Sequence, residues 1–149
     1  MQKHKLPTIK VALFEPEVPQ NVGTTIRTCA CFNIELILIE PFNFLMEDRG
    51  FKRAKMDYDT KTTFYSCFDE FMEQEHGRKV LFTPHTSTEL PDFSFQDNDI
   101  LIFGRESNGV EDKIASQIDT MVRIPMVQNC RSLNLAISTS IGITHALRS

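Results

Sequence analysis

Residues 99–109 read DILIFGRESNG, a mostly apolar run that leads directly into a loop with two glycines. Positions 100–102 are three consecutive large aliphatic residues, so the run lacks the alternation of a strand with one solvated face. Continuous apolar strands are typical of a parallel sheet that is covered by helices on both faces. Polar residues directly after such a strand lie where open parallel sheets bind their ligands.

The same pattern recurs along the chain and alternates with segments of helical spacing. Further strands are predicted at residues 10–14, 35–39, 79–83 and 121–124. Helices are predicted at residues 22–32, 68–76, 110–118 and 133–147. Ser132 is expected to be the N-cap of the last helix and Asn134 to project from its first turn. This alternation predicts an α/β fold with a mainly parallel sheet and helices on both faces.

Two further expectations follow from composition and segment length. The 149 residues are 41% hydrophobic and 24% charged, which is typical of a folded chain, and we expect a single domain over residues 1–149. No apolar run reaches the length of a membrane span and no signal sequence is evident, so we expect a cytoplasmic protein without a membrane partner. The segment 41–63 is expected to be irregular and to lie near the functional site.

The cysteines and histidines give no indication of a metal site. None of the four cysteines forms a CxxC pair, and the four histidines are scattered along the chain. We therefore expect no metal.

The distribution of charge points in two directions. Lys and Arg number 16 against 20 for Asp and Glu, a net charge of −4, whereas proteins that bind nucleic acids are more often basic. However, five basic residues gather in one short segment: Arg49, Lys52, Arg53, Lys55 and Lys61. Because local patches decide whether a polyanion docks, composition leaves nucleic-acid binding open.

Three loops that follow predicted strands carry the candidate site residues. EPEVPQNVGTTIR (residues 15–27) contains Asn21 and Arg27 and lacks the GxGxxG pattern of dinucleotide sites. GRESNG (residues 104–109) places Glu106 between glycines but lacks the Lys and Ser/Thr of a Walker A loop. PMVQNCRSLN (residues 125–134) opens the last helix with Ser132 and Asn134. Each loop alone is equally well explained by helix capping or a solvated side chain.

Together, the segments PEVPQNVGTTIRTC, ILIFGRESNGV and RIPMVQNCRSLNLAISTSIGITHALR resemble the three motifs of the SpoU branch of the SPOUT RNA 2′-O-methyltransferases. The resemblance covers residues 11–148. EPEVPQN, RIPM, the short chain and the segment from Arg53 to Met56-Asp57-Tyr58 make it most similar to the tRNA (cytidine/uridine-34) 2′-O-methyltransferases.

This resemblance implies both a reaction and an assembly. It implies transfer of a methyl group from S-adenosylmethionine to the ribose 2′-hydroxyl of the wobble nucleotide, in the anticodon region of tRNA, without a metal. It also implies a homodimer and a deep trefoil knot in the C-terminal part of the chain, an arrangement that is otherwise nearly absent from proteins.

The resemblance also assigns roles to individual residues. It implies cofactor contacts, mostly through backbone groups, at Phe82, Thr83, Gly104, Ile124, Met126, Ser132 and Leu133. It implies catalytic or RNA-positioning roles for Asn21, Arg27, Glu106, Ser132 and Asn134. From their charge, we predict that an RNA-facing patch consists of Arg49, Lys52, Arg53, Lys55 and Arg131. Tyr58, Phe42 and Phe44 are candidates for stacking on an anticodon base.

Chemistry constrains the role of Arg27. Because a guanidinium is effectively never neutral, we expect Arg27 to bind a phosphate and stabilise the developing 2′-oxyanion, while the proton leaves through phosphate or water. Asn21 is expected to hold Arg27 or the ribose, and Asn134 to hold Glu106. Three alternatives stay open: another tRNA or rRNA position, indicated by Asp59; a catalytically silent RNA-binding relative; and an unrelated α/β enzyme for a small phosphorylated metabolite.

Overall fold

A parallel β-sheet forms the centre of the computed structural model, which describes residues 7–44 and 46–148. The strands in these residues are β1 (Ile9–Phe14), β2 (Glu35–Ile39), β3 (Thr62–Tyr65), β4 (Lys79–Phe82), β5 (Asp99–Phe103) and β6 (Thr120–Val122). The helices are α1 (Pro19–Cys31), α2 (Arg49–Lys55), α3 (Phe68–Gln74), α4 (Asp112–Ala115) and α5 (Leu135–Arg148), with a 3₁₀ turn at Leu90–Asp92. The strand order is β3-β2-β1-β5-β4-β6, and every neighbouring pair is parallel.

Both faces of the sheet are covered. Val11 and Leu13 of β1 point into a cluster that includes buried side chains of α1, α2 and α5. Ala12 and Phe14 point to the opposite face, into a cluster with α3 and α4. Because successive side chains of a strand alternate between faces, these two clusters explain the continuous apolar runs. The predicted α/β fold with helices on both faces is confirmed.

The segment 41–63 differs from the prediction, because it contains α2 and the first residues of β3. Strand β3 lies at the edge of the sheet, begins with two threonines and leaves Phe64 exposed, so it has no continuous apolar run. Helix α2 has seven residues, of which only Phe51 is buried. An element with so little buried surface leaves almost no hydrophobic periodicity in the sequence.

Several predicted boundaries are also corrected. Helix α1 begins at Pro19, because proline is favoured in the first turn of a helix. Residues 110–118 contain only the short helix α4, and α3 ends at Gln74 rather than at residue 76. Helix α5 begins at Leu135, two residues later than predicted.

Close packing of α2 on α1 depends on Gly23. A Cβ atom at this position would lie 2.4 Å from the carbonyl oxygen of Phe51 and 3.0 Å from the Cβ of Ala54. Contacts that short do not occur, so any larger residue would push α2 away from α1. Gly23 therefore permits the backbone approach that places the basic residues of α2 beside α1.

The strand order brings two predicted site loops together. Strands β1 and β5 are neighbours in the middle of the sheet, so residues 15–18 and 104–109 leave it side by side. Strands β4 and β6 end at the same edge. A crevice at the carboxyl ends of the strands is the usual ligand site of such sheets.

A buried tyrosine on β3 gives the protein a predicted sensitivity to alkaline pH. The Tyr65 hydroxyl donates to the Glu75 carboxylate at 2.5 Å, and Lys10 Nζ donates to the same carboxylate at 2.9 Å. Burial, together with the bond to Glu75, raises the pKa of Tyr65 to about 12, from an ordinary 10.0. Because the folded pKa lies above the unfolded value, the resulting stability is complete below pH 10 and is lost as pH rises towards 12.

We therefore expect the free energy of unfolding to fall with pH above 10, by about 2 kcal/mol more in the wild type than in Tyr65→Phe. Urea unfolding at a series of pH values measures this difference. Tyr58→Phe, which removes the hydroxyl of a partly exposed tyrosine, is the matched control. Equal pH dependence in wild type and Tyr65→Phe would contradict the prediction.

Candidate active site

A cleft of about 570 Å³ opens at the carboxyl ends of β4, β5 and β6. Its volume lies in the range of sites for small molecules and cofactors, roughly 300–1,000 Å³. Its lining includes every residue at which the sequence predicts cofactor contacts: Phe82, Thr83, Gly104, Ile124, Met126, Ser132 and Leu133. These residues come from four separate segments, which meet because parallel strands end at one edge of the sheet.

The floor of the cleft is apolar. The ring of Phe82 stacks on that of Phe103 with 4.4 Å between centroids. Gly142 of α5 makes room for this pair, because a Cβ there would lie 2.8 Å from the Phe82 ring. Leu135, at the first turn of α5, also lines the cleft. This floor can accept a flat, weakly polar group such as a heterocyclic base.

The rim of the cleft is polar and charged. Arg105 pairs with Glu15 at 3.3 Å and Glu111 at 3.1 Å, and Arg123 pairs with Glu89 at 2.7 Å. Among the described residues, the buried Nε groups of both arginines lack a hydrogen-bond partner. A ligand in the cleft therefore meets a rim on which these two arginines are paired with carboxylates.

Glu106 joins the β5 loop to the beginning of α1. Its carboxylate accepts from the backbone N–H of Val18 at 2.6 Å and from that of Glu17 at 3.0 and 3.2 Å. The N-cap residue of α1, Val18, has no side chain that could accept a hydrogen bond. An anion from the neighbouring loop therefore satisfies amide donors at this helix N-terminus, where the helix dipole favours negative charge.

A second carboxylate, that of Glu17, joins the same two loops in the opposite direction. Glu17 Oε1 accepts from the Ser107 backbone N–H at 2.9 Å and from the Ser107 hydroxyl at 2.7 Å. These bonds lower the pKa of Glu17 below its ordinary value. The sequence prediction included neither residue, although Glu17 lies in EPEVPQN and Ser107 directly follows Glu106. Only knowledge that β1 and β5 are neighbours could have paired them.

Two asparagines extend this network to the last helix. Asn21 is buried in the first turn of α1, and its Nδ2 lies 3.4 Å from a Glu106 carboxylate oxygen. Asn134 Nδ2 donates to Asn21 Oδ1 at 3.0 Å. The network therefore runs from Glu106 through Asn21 to Asn134, and the expectation that Asn134 itself holds Glu106 is wrong.

The cap of α5 is also a correction. Asn134 Oδ1 accepts from the backbone N–H groups of Ala136 at 2.9 Å and Ile137 at 3.2 Å. Asn134 is thus the N-cap, and Ser132 is an exposed residue of the preceding loop that lines the cleft. The expected cap fails because Ser132 lies three residues before the first residue of α5.

Arg27 lies apart from the other predicted catalytic residues. It is exposed on α1, does not line the cleft, and its guanidinium lies over the Tyr58 ring, 5.2 Å from the centroid. Six residues separate it from Asn21, about 240° around a helix, so the two side chains leave different faces. Within one chain, Asn21 therefore contacts Glu106 and Asn134 and does not hold Arg27.

The residues of the predicted RNA-facing patch fall on two elements. Arg49, Lys52, Arg53 and Lys55 all belong to α2. Arg131 instead lies in the loop before α5 and lines the cleft. The structure thus provides one basic helix beside α1 and a separate arginine at the cleft.

Two kinds of feature are missing from the part of the chain that the structure describes. It contains no helix long and apolar enough to cross a bilayer. It also contains no group of three or more His, Cys, Asp or Glu side chains able to hold a metal ion.

Comparison with known proteins agrees with this geometry. The SpoU rRNA Methylase family matches residues 8–144. A protein of Beijerinckia indica named tRNA (cytidine(34)-2′-O)-methyltransferase is 38% identical, over 93% of this chain and 89% of its own length. A solved structure described as "Structural insights into the 2-OH methylation of C/U34 on tRNA" has a TM-score of 0.90 and 32% identity, covering 95% of both chains.

A more distant structure agrees in fold. The SpoU methyltransferase AviRb from Streptomyces viridochromogenes, solved in complex with the cofactor AdoMet, has a TM-score of 0.84 at 21% identity, covering 97% of this chain and 61% of its own. The family match over residues 8–144 spans far more than half of the chain, and it includes the loops that line the cleft. The chain therefore belongs to the SpoU rRNA methylase family.

Proposed function

We propose that this protein transfers a methyl group from S-adenosylmethionine to the ribose 2′-hydroxyl of nucleotide 34 of tRNA. The observation that carries the proposal is the Glu106–Asn21–Asn134 network at the cleft that Phe82, Gly104 and Ser132 line. The relatives named for methylation of position 34 match nearly the full length of this chain, so the substrate of the proposal follows theirs.

The cleft fits S-adenosylmethionine on its own chemistry. The apolar floor of Phe82 and Phe103 suits the adenine ring, and Ile124 and Leu133 add apolar walls. At the rim, the Arg105 and Arg123 side chains supply cationic groups beside which a carboxylate or hydroxyl can lie. When bound, S-adenosylmethionine supplies an electrophilic methyl group. Phe82, Thr83, Gly104, Ile124, Met126, Ser132 and Leu133 are the residues proposed to hold it.

The protein's own groups orient the substrate and handle its charge. In this proposal, the Arg27 fork holds an RNA phosphate and stabilises negative charge that develops on the 2′-oxygen. The 2′-hydroxyl proton leaves through phosphate or water, because the guanidinium does not titrate in proteins. Glu106, Asn21 and Asn134 fix the beginnings of α1 and α5 relative to the cleft.

We further propose that residues 1–149 form one domain that works in the cytoplasm as a homodimer. Val18, Leu133 and Ile137 are large apolar side chains that stay exposed close to the Asn21–Asn134 bond. A second copy of the chain would remove this surface from water. It would also offer a second Arg27 to a cleft that Arg27 of the same chain does not line.

The proposal includes a trefoil knot in the C-terminal part of the chain. Strand β6 pairs with the far side of β4, while α5 returns to pack on α1, on β5 and on the 3₁₀ turn at Leu90–Asp92. Residues 83–90 bond to the β6 end, from Thr83 N to Val122 O and from Leu90 N to Arg123 O. The contact of α5 with the 3₁₀ turn that closes this loop supports the proposal that the end of the chain passes through it.

Mass-spectrometric mapping of methylated nucleotides tests the function. Unmodified tRNA is incubated with the protein, with and without S-adenosylmethionine, digested with ribonuclease and mapped. A cofactor-dependent methyl group on the ribose of nucleotide 34 is the expected result. A methyl group at another position would show that the target nucleotide is not 34, and it would make the exposed Asp59 the first residue to test as the cause. No methylation of any tRNA or rRNA by folded protein would overturn the proposal.

The basic residues of α2 should contribute a measurable salt dependence. Binding of RNA to these residues releases counterions, so Lys52→Ala/Arg53→Ala should weaken tRNA binding and reduce the slope of log K against log salt by about 1.5. Fluorescence anisotropy with labelled tRNA at several salt concentrations measures the slope. Lys113→Ala/Arg148→Ala removes two exposed charges elsewhere and is the matched control. An unchanged slope in the α2 variant would place the RNA on another surface.

A further inference from the structure

We propose that Tyr58 is a positioning residue that holds the Arg27 guanidinium ready for an RNA phosphate. The inference rests on the proposed function of Arg27 and adds to it the residue that orients this side chain. Its starting point is the contact between the Arg27 guanidinium and the face of the Tyr58 ring, 5.2 Å from the centroid.

The position of the ring is fixed by the chain on both sides of it. Met56, which caps the end of α2, has a φ of 59° and donates its N–H to Lys52 O at 2.9 Å, and Tyr58 N donates to Lys55 O at 3.3 Å. On the other side, Thr60 Oγ1 donates to Ile34 O at 2.6 Å. The segment 56–60 is therefore tied to α2 at one end and to the entrance of β2 at the other.

The same segment is held against the helix that carries Arg27. Helix α2 packs on α1 at Gly23, one turn before Arg27, where a Cβ would collide with the Phe51 carbonyl. Any shift of α2 along α1 would break this close packing. The residues that follow α2 are therefore held next to the Arg27 side chain. The contacts that hold the Tyr58 segment in place do not involve the Arg27 guanidinium.

The type of contact explains why an aromatic residue suits this position. Among the described residues, Arg27 makes no ion pair and its guanidinium donates no hydrogen bond. A carboxylate partner would occupy the N–H donors and neutralise the charge. An aromatic face attracts the cation while leaving those donors free, so the planar fork stays available for a phosphate.

Two substitutions separate the ring from the hydroxyl. Tyr58→Phe keeps the aromatic face, and Tyr58→Leu replaces it with a smaller aliphatic side chain. We expect Tyr58→Phe to retain kcat/KM for tRNA methylation within about 1.5-fold, and Tyr58→Leu to lower it about three- to fivefold. The Kd for S-adenosylmethionine should not change in either variant, because Tyr58 does not line the cleft and Arg27 is proposed to act on the RNA rather than on the cofactor.

A double-mutant cycle distinguishes positioning of Arg27 from direct contact with RNA. If Tyr58 acts through Arg27, Tyr58→Leu should have no further effect on kcat/KM or on tRNA affinity in an Arg27→Ala background. The same loss in that background would overturn the proposal and make Tyr58 a base-stacking residue. Wild-type kinetics of Tyr58→Leu would overturn it as well.

A spectroscopic measurement tests the contact independently of activity. In protein with ¹⁵N-labelled arginine, the Arg27 Hε resonance should carry a ring-current shift that Tyr58→Phe keeps and Tyr58→Leu abolishes; assignment comes from Arg27→Lys. An Arg27 Hε resonance at the same shift in wild type, Tyr58→Phe and Tyr58→Leu would overturn the proposal. If the wild type methylates no RNA, the function of Arg27 fails, and this measurement still decides whether Tyr58 holds it.

Discussion

Replacement of Arg27 by alanine is expected to lower kcat/KM for tRNA methylation about 100-fold or more, and to leave the affinity for S-adenosylmethionine within about twofold. The activity should fall because the variant removes a free, planar set of hydrogen-bond donors from the site of developing charge. Cofactor affinity should stay because Arg27 of the same chain does not line the cleft, and an Arg27 supplied by a second copy would act on the RNA phosphate and the 2′-oxygen. Single-turnover methylation and calorimetric titration of the cofactor measure the two quantities separately.

A lysine at the same position tests the geometry of the charge. Lysine offers a point charge without the bidentate fork, so Arg27→Lys should recover only a small part of the activity lost in Arg27→Ala. Lys113→Ala, which removes an exposed charge on α4, is the control for a general loss of attraction to RNA. Near-normal turnover by Arg27→Lys would show that charge alone suffices and would contradict the proposed phosphate fork.

Replacement of Glu106 by glutamine is expected to affect both stability and activity. The Glu106 carboxylate accepts from Val18 N at 2.6 Å and from Glu17 N at 3.0 Å, and it also meets the Asn21 amide. A glutamine has one acceptor oxygen, and its NH₂ group would face N–H donors. We expect a loss of about 1–3 kcal/mol in the free energy of unfolding, since hydrogen bonds to charged groups are the stronger ones.

The activity of Glu106→Gln should fall at least about tenfold, because a displacement of catalytic groups by a fraction of an ångström slows positioned reactions steeply. Urea unfolding and methylation assays on the same preparation measure both effects. Glu73→Gln, an exposed carboxylate on α3, is the matched control. Full stability together with full activity in Glu106→Gln would show that the α1 N-terminus does not depend on this carboxylate.

The sequence by itself determined the features that are written into consecutive residues. The buried strands β1, β2, β4 and β5 were predicted from continuous apolar runs, because a strand covered on both faces needs apolar residues at every position. Strand β3, with its two threonines and one exposed edge, left no such run and was missed. Helix α2, with a single buried residue, was missed for the same reason.

The residues that line the cleft were assigned through the resemblance to the SpoU methyltransferases, and not through local periodicity. Residues at the carboxyl ends of parallel strands lie at one end of the sheet, and they line one cleft where the strands are neighbours, as β5, β4 and β6 are. This is why Phe82, Gly104 and Ile124, distant in the chain, line a single cleft. Their roles towards the cofactor stay predictions.

Only the tertiary structure decided which loops touch. Glu17 meets Ser107, and Glu106 meets the start of α1, because β1 pairs with β5 across an interval of some 90 residues, and no local pattern encodes that pairing. The place of Arg27, beside Tyr58 and away from the cleft, depends likewise on the packing of α2 against Gly23. Local periodicity reports how much of each element is buried, whereas strand order and helix docking depend on contacts between residues far apart in the chain.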